Sequence, residues 1–340
     1  VPAGLNSVVA VGAGANHTVA LKQDGTVVAW GENTSGQSTV PVGLNGVVSV
    51  AAGFAHTVAL KTDGTVVAWG YNGEGQCSVP PGLSSVVAIA PGSWHTAVLK
   101  QDGKILAWGR NGEGQGTVPA GLSGVVAIAS GGYHTVALKQ DGTVVAWGRN
   151  FDGECTVPAG LSGVVAVAAG PYHTVALKQD GTVVAWGKNS AGECSVPASL
   201  SGVVAIAAGA YHTVAVNQDG AVMAWGDNRE GQRTVPANVG GAVAITAGRA
   251  HTVAVADRTL QATRIGKTGV AESSATHSGT GFFITDDGYF VTNQHVAGEG
   301  ATVRLVTAAG SIAAKVVKVD KANDLALLKA EGKSTALPVI

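Results

Sequence analysis

The sequence predicts an all-β chain: a seven-bladed β-propeller of four-stranded antiparallel blades, with a smaller β domain behind it. Three observations carry that prediction. Histidines recur at His17, His56, His95, His134, His173, His212 and His251, every gap being 39 residues. Trp30, Trp69, Trp108, Trp147, Trp186 and Trp225 keep the same step. Each copy consists of short β-branched runs broken by Gly-rich turns, with no helical spacing long enough to compete.

One copy, residues 124–158, shows why each element is expected. The runs Val125–Ala129, His134–Leu138 and Thr143–Trp147 read as strands, and Cys155–Pro158 as a weaker fourth. Asp141-Gly142 between two apolar runs is a hairpin signal, and we expect a type I′ turn there. Val144, Val145, Ala146 and Trp147 are apolar on both faces, so both faces need cover, which neighbouring copies supply. The seventh copy loses the pattern after His251, with Arg264 where Trp is due. The chain begins Val1-Pro2-Ala3-Gly4-Leu5, which reads as the end of that missing strand brought to the front to complete the last blade.

The totals exclude several classes. A chain of 340 residues that is 46% hydrophobic and 13% charged is not disordered. A formal net charge of −1 argues against a nucleic-acid partner, because phosphate binding needs clustered Lys and Arg. No apolar run reaches the length of a membrane span. Cys77, Cys155 and Cys194 share one slot of the repeat, which makes them scaffold thiols rather than a disulfide framework or metal site. No cofactor or metal is expected. The start at Val1, without Met or a signal-like segment, suggests a removed leader or a piece of a longer protein.

The pattern G-x-x-H-T-x-A-L-K-x-D-G-x-V-x-x-W-G-x-N-x-x-G-Q, matched in six nearly complete copies over about residues 1–265, resembles the regulator of chromosome condensation (RCC1-like) repeat. The short 39-residue period and the T-V-P-A-G-L connector are most similar to bacterial members, among them a secreted propeller that inhibits β-lactamases. The eukaryotic namesake is a nucleotide exchange factor that binds chromatin, and neither property transfers on repeats alone.

In a meander, alternate turns share one side. The Lys-Gln-Asp-Gly-Thr hairpin and the connector lie on one side and hardly vary; the G-x-x-H turn and the W-G-x-N loop lie on the other and vary widely. Phe54, Trp94, Tyr133, Tyr172 and Tyr211 stand at or beside the position before the repeated His, while the loops offer Arg110, Arg149 and Lys188. Aromatics and Arg dominate interface energetics, so these residues are the candidate face for a protein or peptide partner. The resemblance implies the same, since the inhibitory relative uses its matching aromatics to contact the enzyme. The alternative is that they merely cap the blades. The repeated His is read as scaffold that hydrogen-bonds backbone in a turn, the repeated Asn as a turn former, and the repeated Trp as blade packing.

From about Gly266 the period stops. Residues 266–278 read as a polar linker, and residues 279–340 as a separate domain. The runs G-T-G-F-F-I…G-Y-F-V-T-N-Q-H-V and, 29 residues past His295, N-D-L-A-L-L are similar to the amino-terminal half of a trypsin-like serine peptidase of the high-temperature-requirement type. That resemblance implies a partial trypsin-like β-barrel, with His295 as general base and Asp324 as the carboxylate that holds its imidazole. The family's nucleophile comes from Gly-x-Ser-Gly-Gly, and no such motif lies between Asp324 and Ile340. The chain as given should therefore be inactive, and loss of a second barrel by truncation is the simplest account. The expectation is a protein-binding propeller fused to a serine endopeptidase, secreted or periplasmic by family habit. The alternative is a pure interaction or inhibitor propeller with a non-catalytic C-terminal barrel. A nucleotide-exchange role has nothing beyond the fold to support it.

Overall fold

A computed structural model of the chain describes residues 1–236 and 241–256, and beyond them the backbone of the strands at 282–283, 289–293, 302–307, 310–320 and 325–330. Two compact units emerge, Val1–Lys267 and Thr268–Ile340.

In the first unit, six three-stranded antiparallel sheets and one two-stranded sheet follow one another in chain order. The fourth copy has strands Val125–Ser130, His134–Lys139 and Val144–Gly148. The β-branched runs become these strands as expected. The hairpin differs in detail: Gly142 N donates to Lys139 O and Lys139 N to Thr143 O, both at 2.9 Å. Gly142 has φ +77° while Asp141 is not left-handed, so this is a three-residue loop ending on a left-handed Gly, not a type I′ turn. The Asp141 carboxylate accepts from Thr143 N at 3.0 Å and stiffens it.

Among the described residues the expected fourth strand does not join any of these sheets. In the fourth copy, Thr156 N bonds back to Gly153 O and Val157 N to Cys155 O, at 2.9 and 3.0 Å. Those donors are spent within local turns, and Pro158 has none to offer a ladder. Residues 1–5 are likewise no strand. Leu5 N donates to Pro2 O at 3.4 Å, as Leu44 N does to Pro41 O at 3.2 Å, so the segment is the ordinary connector turn.

Each sheet is buried between its neighbours. The middle strand is covered most completely: His134 through Leu138 are all buried. Val136, Leu138 and Val144 of one copy pack with Val164, Ala176 and Trp186 of the next. First strands touch the first strands on either side, which makes them innermost. Every first strand carries a register shift near its start, as between Val125 and Ala127. The last sheet meets the first: Ala13 N donates to Thr246 Oγ1 at 3.2 Å and Arg249 N to Gly14 O at 3.3 Å. The row of sheets is a closed ring.

The second unit contains one sheet, in the order Phe282–Phe283, Tyr289–Asn293, Leu325–Ala330, Gly310–Asp320, Thr302–Thr307. All its pairings are antiparallel.

Candidate functional site: the aromatic mouth of the ring

The mouth rests on a buried hydrogen-bonded belt. His134 Nε2 lies 3.0 Å from Thr174 Oγ1 in the next copy. Thr174 donates its hydroxyl to the Glu154 carbonyl at 2.8 Å, and Trp186 Nε1 donates to the same oxygen at 3.1 Å. Because the threonine proton is committed to the carbonyl, the imidazole is the donor to threonine, so its proton sits on Nε2. The same link joins His17 to Thr57, His56 to Thr96, His95 to Thr135, His173 to Thr213 and His212 to Thr252, at 2.9–3.0 Å. His251 closes the circle on Thr18 at 3.2 Å.

The repeated His is thus scaffold, but its ring bonds a side chain of the neighbouring copy, not backbone within its own turn. Sequence spacing gives identity by copy and is silent on which copy a side chain reaches. The Gly three residues before each His is required by the ring: a Cβ at Gly131 would collide with the His134 imidazole and the Gly170 carbonyl. Burial drives the imidazoles toward the neutral form. His56, His134 and His173 are pushed down to about 3, by burial first and by neighbouring histidines second. His17 and His212 fall to about 4 for the same two reasons, and His95 falls to about 4 by burial.

The loops after each Trp-Gly are fixed from below by the side chain whose backbone carbonyl joins the belt. Gln115 Oε1 accepts from Glu113 N at 3.0 Å, and Glu154 Oε2 accepts from Asp152 N at 2.8 Å. The repeated Asn acts as the expected turn former: Asn150 Oδ1 accepts from Cys155 N at 2.8 Å. The neighbouring thiols are half-buried and unpaired, and burial raises Cys155 to about 12, which keeps it protonated.

On this frame stand the candidate residues. Phe54, Trp94, Tyr133, Tyr172 and Tyr211 are half-buried at one mouth of a central cavity of about 610 Å³, whose walls are the innermost strands of all the copies. Phe54 and Trp94 lie 5.2 Å apart, and Trp94 Nε1 donates to the Tyr133 hydroxyl at 3.0 Å. Tyr172 and Tyr211 stack at 5.8 Å. Burial, and then Tyr211, raise the Tyr172 hydroxyl above the usual phenol range. Arg110 lies over Tyr133 at 5.4 Å, and Arg149 over Tyr172 at 5.2 Å. Arg149 is held by Asp152 at 2.8 Å and by the fully buried Glu154 at 3.6 Å.

Three further residues belong to this surface. Lys188 Nζ sits 5.0 Å from the Tyr172 ring and 5.4 Å from that of Tyr211. Phe151 is 80% exposed above the Arg149 guanidinium, and Tyr71 meets Trp94 edge-on. Lys188 and Tyr71 occupy the slot of Arg110 and Arg149, where the period places them; their contacts with the rings come from the structure.

His295 and Asp324 lie outside the described residues. The strands leading to and from them are neighbours, however: Asn293, two places before His295, pairs with Leu325, which directly follows Asp324. Among the described residues no three His, Cys, Asp or Glu side chains converge as a metal site, and no helix is long and apolar enough to cross a membrane.

A closed ring of repeated antiparallel sheets around a central cavity defines a β-propeller. Residues 1–262 match the RCC1-like domain family, and the chain belongs to it. Its ring is similar to Prp20p from Saccharomyces cerevisiae, a protein with binding properties towards Gsp1p and histones: TM-score 0.62, 22% identity, covering 76% of this chain and 85% of that one. It is also similar to the CRINKLY ectodomain of the Arabidopsis thaliana receptor kinase ACR4: TM-score 0.61, 20% identity, covering 75% and 95%. These likenesses show the fold alone.

Residues 279–340 match a trypsin-like peptidase domain. A probable periplasmic serine endoprotease, DegP-like, from Rhizobium meliloti is 46% identical over 56 residues, which is 16% of this chain and 11% of that protein. Its counterpart from Pseudomonas putida is 37% identical over 73 residues, 21% and 15% respectively. The chain thus spans between a tenth and a sixth of these relatives' length.

Proposed function

We propose that residues 1–265 form a seven-bladed protein-binding module that grips a partner at its aromatic mouth, and that it is fused to a serine endopeptidase. The observation that carries the binding reading is the mouth itself: half-exposed rings and cations gathered at one end of the cavity, on a belt that is otherwise uniform. Phe54, Trp94, Tyr133, Tyr172, Tyr211, Arg110 and Arg149 are the residues we assign to contact. Aromatic and Arg side chains of this kind supply most of the energy of protein interfaces. Prp20p supports the reading, as a ring of the same fold that binds proteins. The similarity to bacterial short-repeat members, the inhibitory propeller included, belongs to this proposal.

Residues 279–340 would be the first part of a trypsin-like barrel. In it His295 serves as general base and Asp324 holds the imidazole's orientation and charge. The strand register that brings Asn293 beside Leu325, and the DegP-like relatives, support this pairing. The nucleophilic serine would come from outside the sequence given. The periplasmic names of those relatives support a secreted or periplasmic setting. In the second reading the ring alone works, as an interaction or inhibitor module, and the C-terminal region is a non-catalytic barrel.

Two experiments test the proposal. Partners captured by the native chain should be lost when Trp94, Tyr133, Tyr172 and Tyr211 are all changed to Ala; capture that persists in a folded variant removes the mouth as the site. The full-length protein should label with a fluorophosphonate, and His295→Ala should abolish labelling. A protein that never labels leaves the second reading.

A further inference from the structure

We infer that the sector formed by Phe54, Tyr71 and Trp94 receives a lysine or arginine side chain of the partner. This rests on the protein-binding reading and adds the chemistry of what is bound. It comes from comparing the copies. Arg110 lies 5.4 Å from the Tyr133 ring, Arg149 5.2 Å from Tyr172, and Lys188 5.4 Å from Tyr211. In each case the residue after Trp-Gly in one copy covers the aromatic ring of the next. Three successive junctions therefore supply their own cation.

The junction before them does not. Its slot holds Tyr71, which meets Trp94 at 5.7 Å and 76°. Among the described residues no Lys or Arg lies over Phe54, Tyr71 or Trp94. The rings there are well placed. Trp94 is anchored through its Nε1 to the Tyr133 hydroxyl at 3.0 Å and backed by Phe54 at 5.2 Å. Tyr71 lies back over Gly73, where a Cβ would collide with its hydroxyl. Tyr71 remains 37% exposed.

The charge around this sector is complementary to a cation. Glu32, Glu74 and Glu113 stand in the loops of the first three copies, against the one cation Arg110. Glu74 is 39% exposed, and its ion pair with Arg110 is long, at 3.5 Å. A cation over an aromatic face is attracted by the ring quadrupole, and Trp is the strongest acceptor of the three. A carboxylate beside it favours the correct partner over an anionic one. A partner's Lys or Arg would complete at this junction the pattern that the following three complete internally.

The chain contains seven tryptophans, so 5-fluorotryptophan labelling gives one ¹⁹F resonance for each, with Trp94→Phe identifying its own. The probe is N-acetyl-arginine methylamide, with N-acetyl-glutamate methylamide as its opposite. The arginine probe should move the Trp94 resonance saturably, and the glutamate probe should leave it in place. Tyr71→Arg fills the slot as in the next copies, and should weaken the arginine response by about tenfold, the scale of one such contact. The other resonances report whether that variant is folded, and Glu74→Gln should weaken the response about threefold by removing the nearby charge. An immobile Trp94 resonance, an equal response to glutamate, or undiminished binding to folded Tyr71→Arg overturns the inference. If that happens while the fourfold alanine variant still loses its partner, the mouth remains the interface and only its basic-residue sector falls.

Discussion

The belt and the mouth are a few ångströms apart and follow opposite rules. Along the belt every copy repeats the same bond, from His17–Thr57 round to His251–Thr18. At the mouth the position before the His diverges into Asn16, Ala55, Trp94, Tyr133, Tyr172, Tyr211 and Ala250, with Phe54 one place earlier in its copy. The difference teaches where constraint lies. A buried donor left without its acceptor costs about 1–3 kcal/mol, so belt positions have little freedom. A half-exposed ring answers only to what it touches, so mouth positions are free to specialise.

The sharpest way to break that contrast is acid. The belt imidazoles are held well below their ordinary value of 6.5, three of them to about 3. A folded value below the unfolded one means that the unfolded chain binds more protons between the two. Stability is therefore fully present above pH 6.5 and drains as pH falls towards 3–4. Each such histidine contributes about 1.4 kcal/mol per pH unit in that window. Several acting together should unfold the ring cooperatively at roughly pH 4–6, with tryptophan fluorescence as the readout. A ring unchanged down to pH 3 would mean that the imidazoles are not neutral and buried as described.

Next in size is Thr135→Val. It strips the acceptor from His95 and one donor from the Gln115 carbonyl. We expect a loss of about 3 kcal/mol in denaturant unfolding. Arg149→Met comes third, at about 2 kcal/mol, because it leaves the fully buried Glu154 without its cation. Adding Glu154→Gln recreates the residue of the preceding copy, Gln115, and should restore most of that loss; no restoration would show that the pair is not coupled. The smallest effect is expected at the mouth itself. Tyr211→Ala should cost less than about 1 kcal/mol, and a cost equal to that of Thr135→Val would make the mouth structural, not a binding surface.

Much of this was legible beforehand. The period exposed the sheets, the two unlike sides, and the scaffold role of His134 and its equivalents. What stayed hidden was pairing across copies. Nothing in the spacing says that His134 reaches Thr174, because a contact between repeats looks the same as one within a repeat when every copy carries both residues. Cys155–Pro158 has the β-branched look of a strand, yet its donors go to turns. Nothing in the period says that Glu154 and Glu193, standing where other copies carry Gln, are fully buried with their backbone carbonyls in the belt. Lys188 and Tyr71 are visible as slots, but which rings they meet depends on the path of the chain between copies.

The bond from His251 to Thr18 has a consequence for how the gene can be rearranged. The seam uses the same fastening as the interior junctions, so no copy is obliged to come first. A circular permutant that opens between two other copies would carry the old seam as an ordinary covalent joint, and the new ends would be clasped by an imidazole and a hydroxyl already in place.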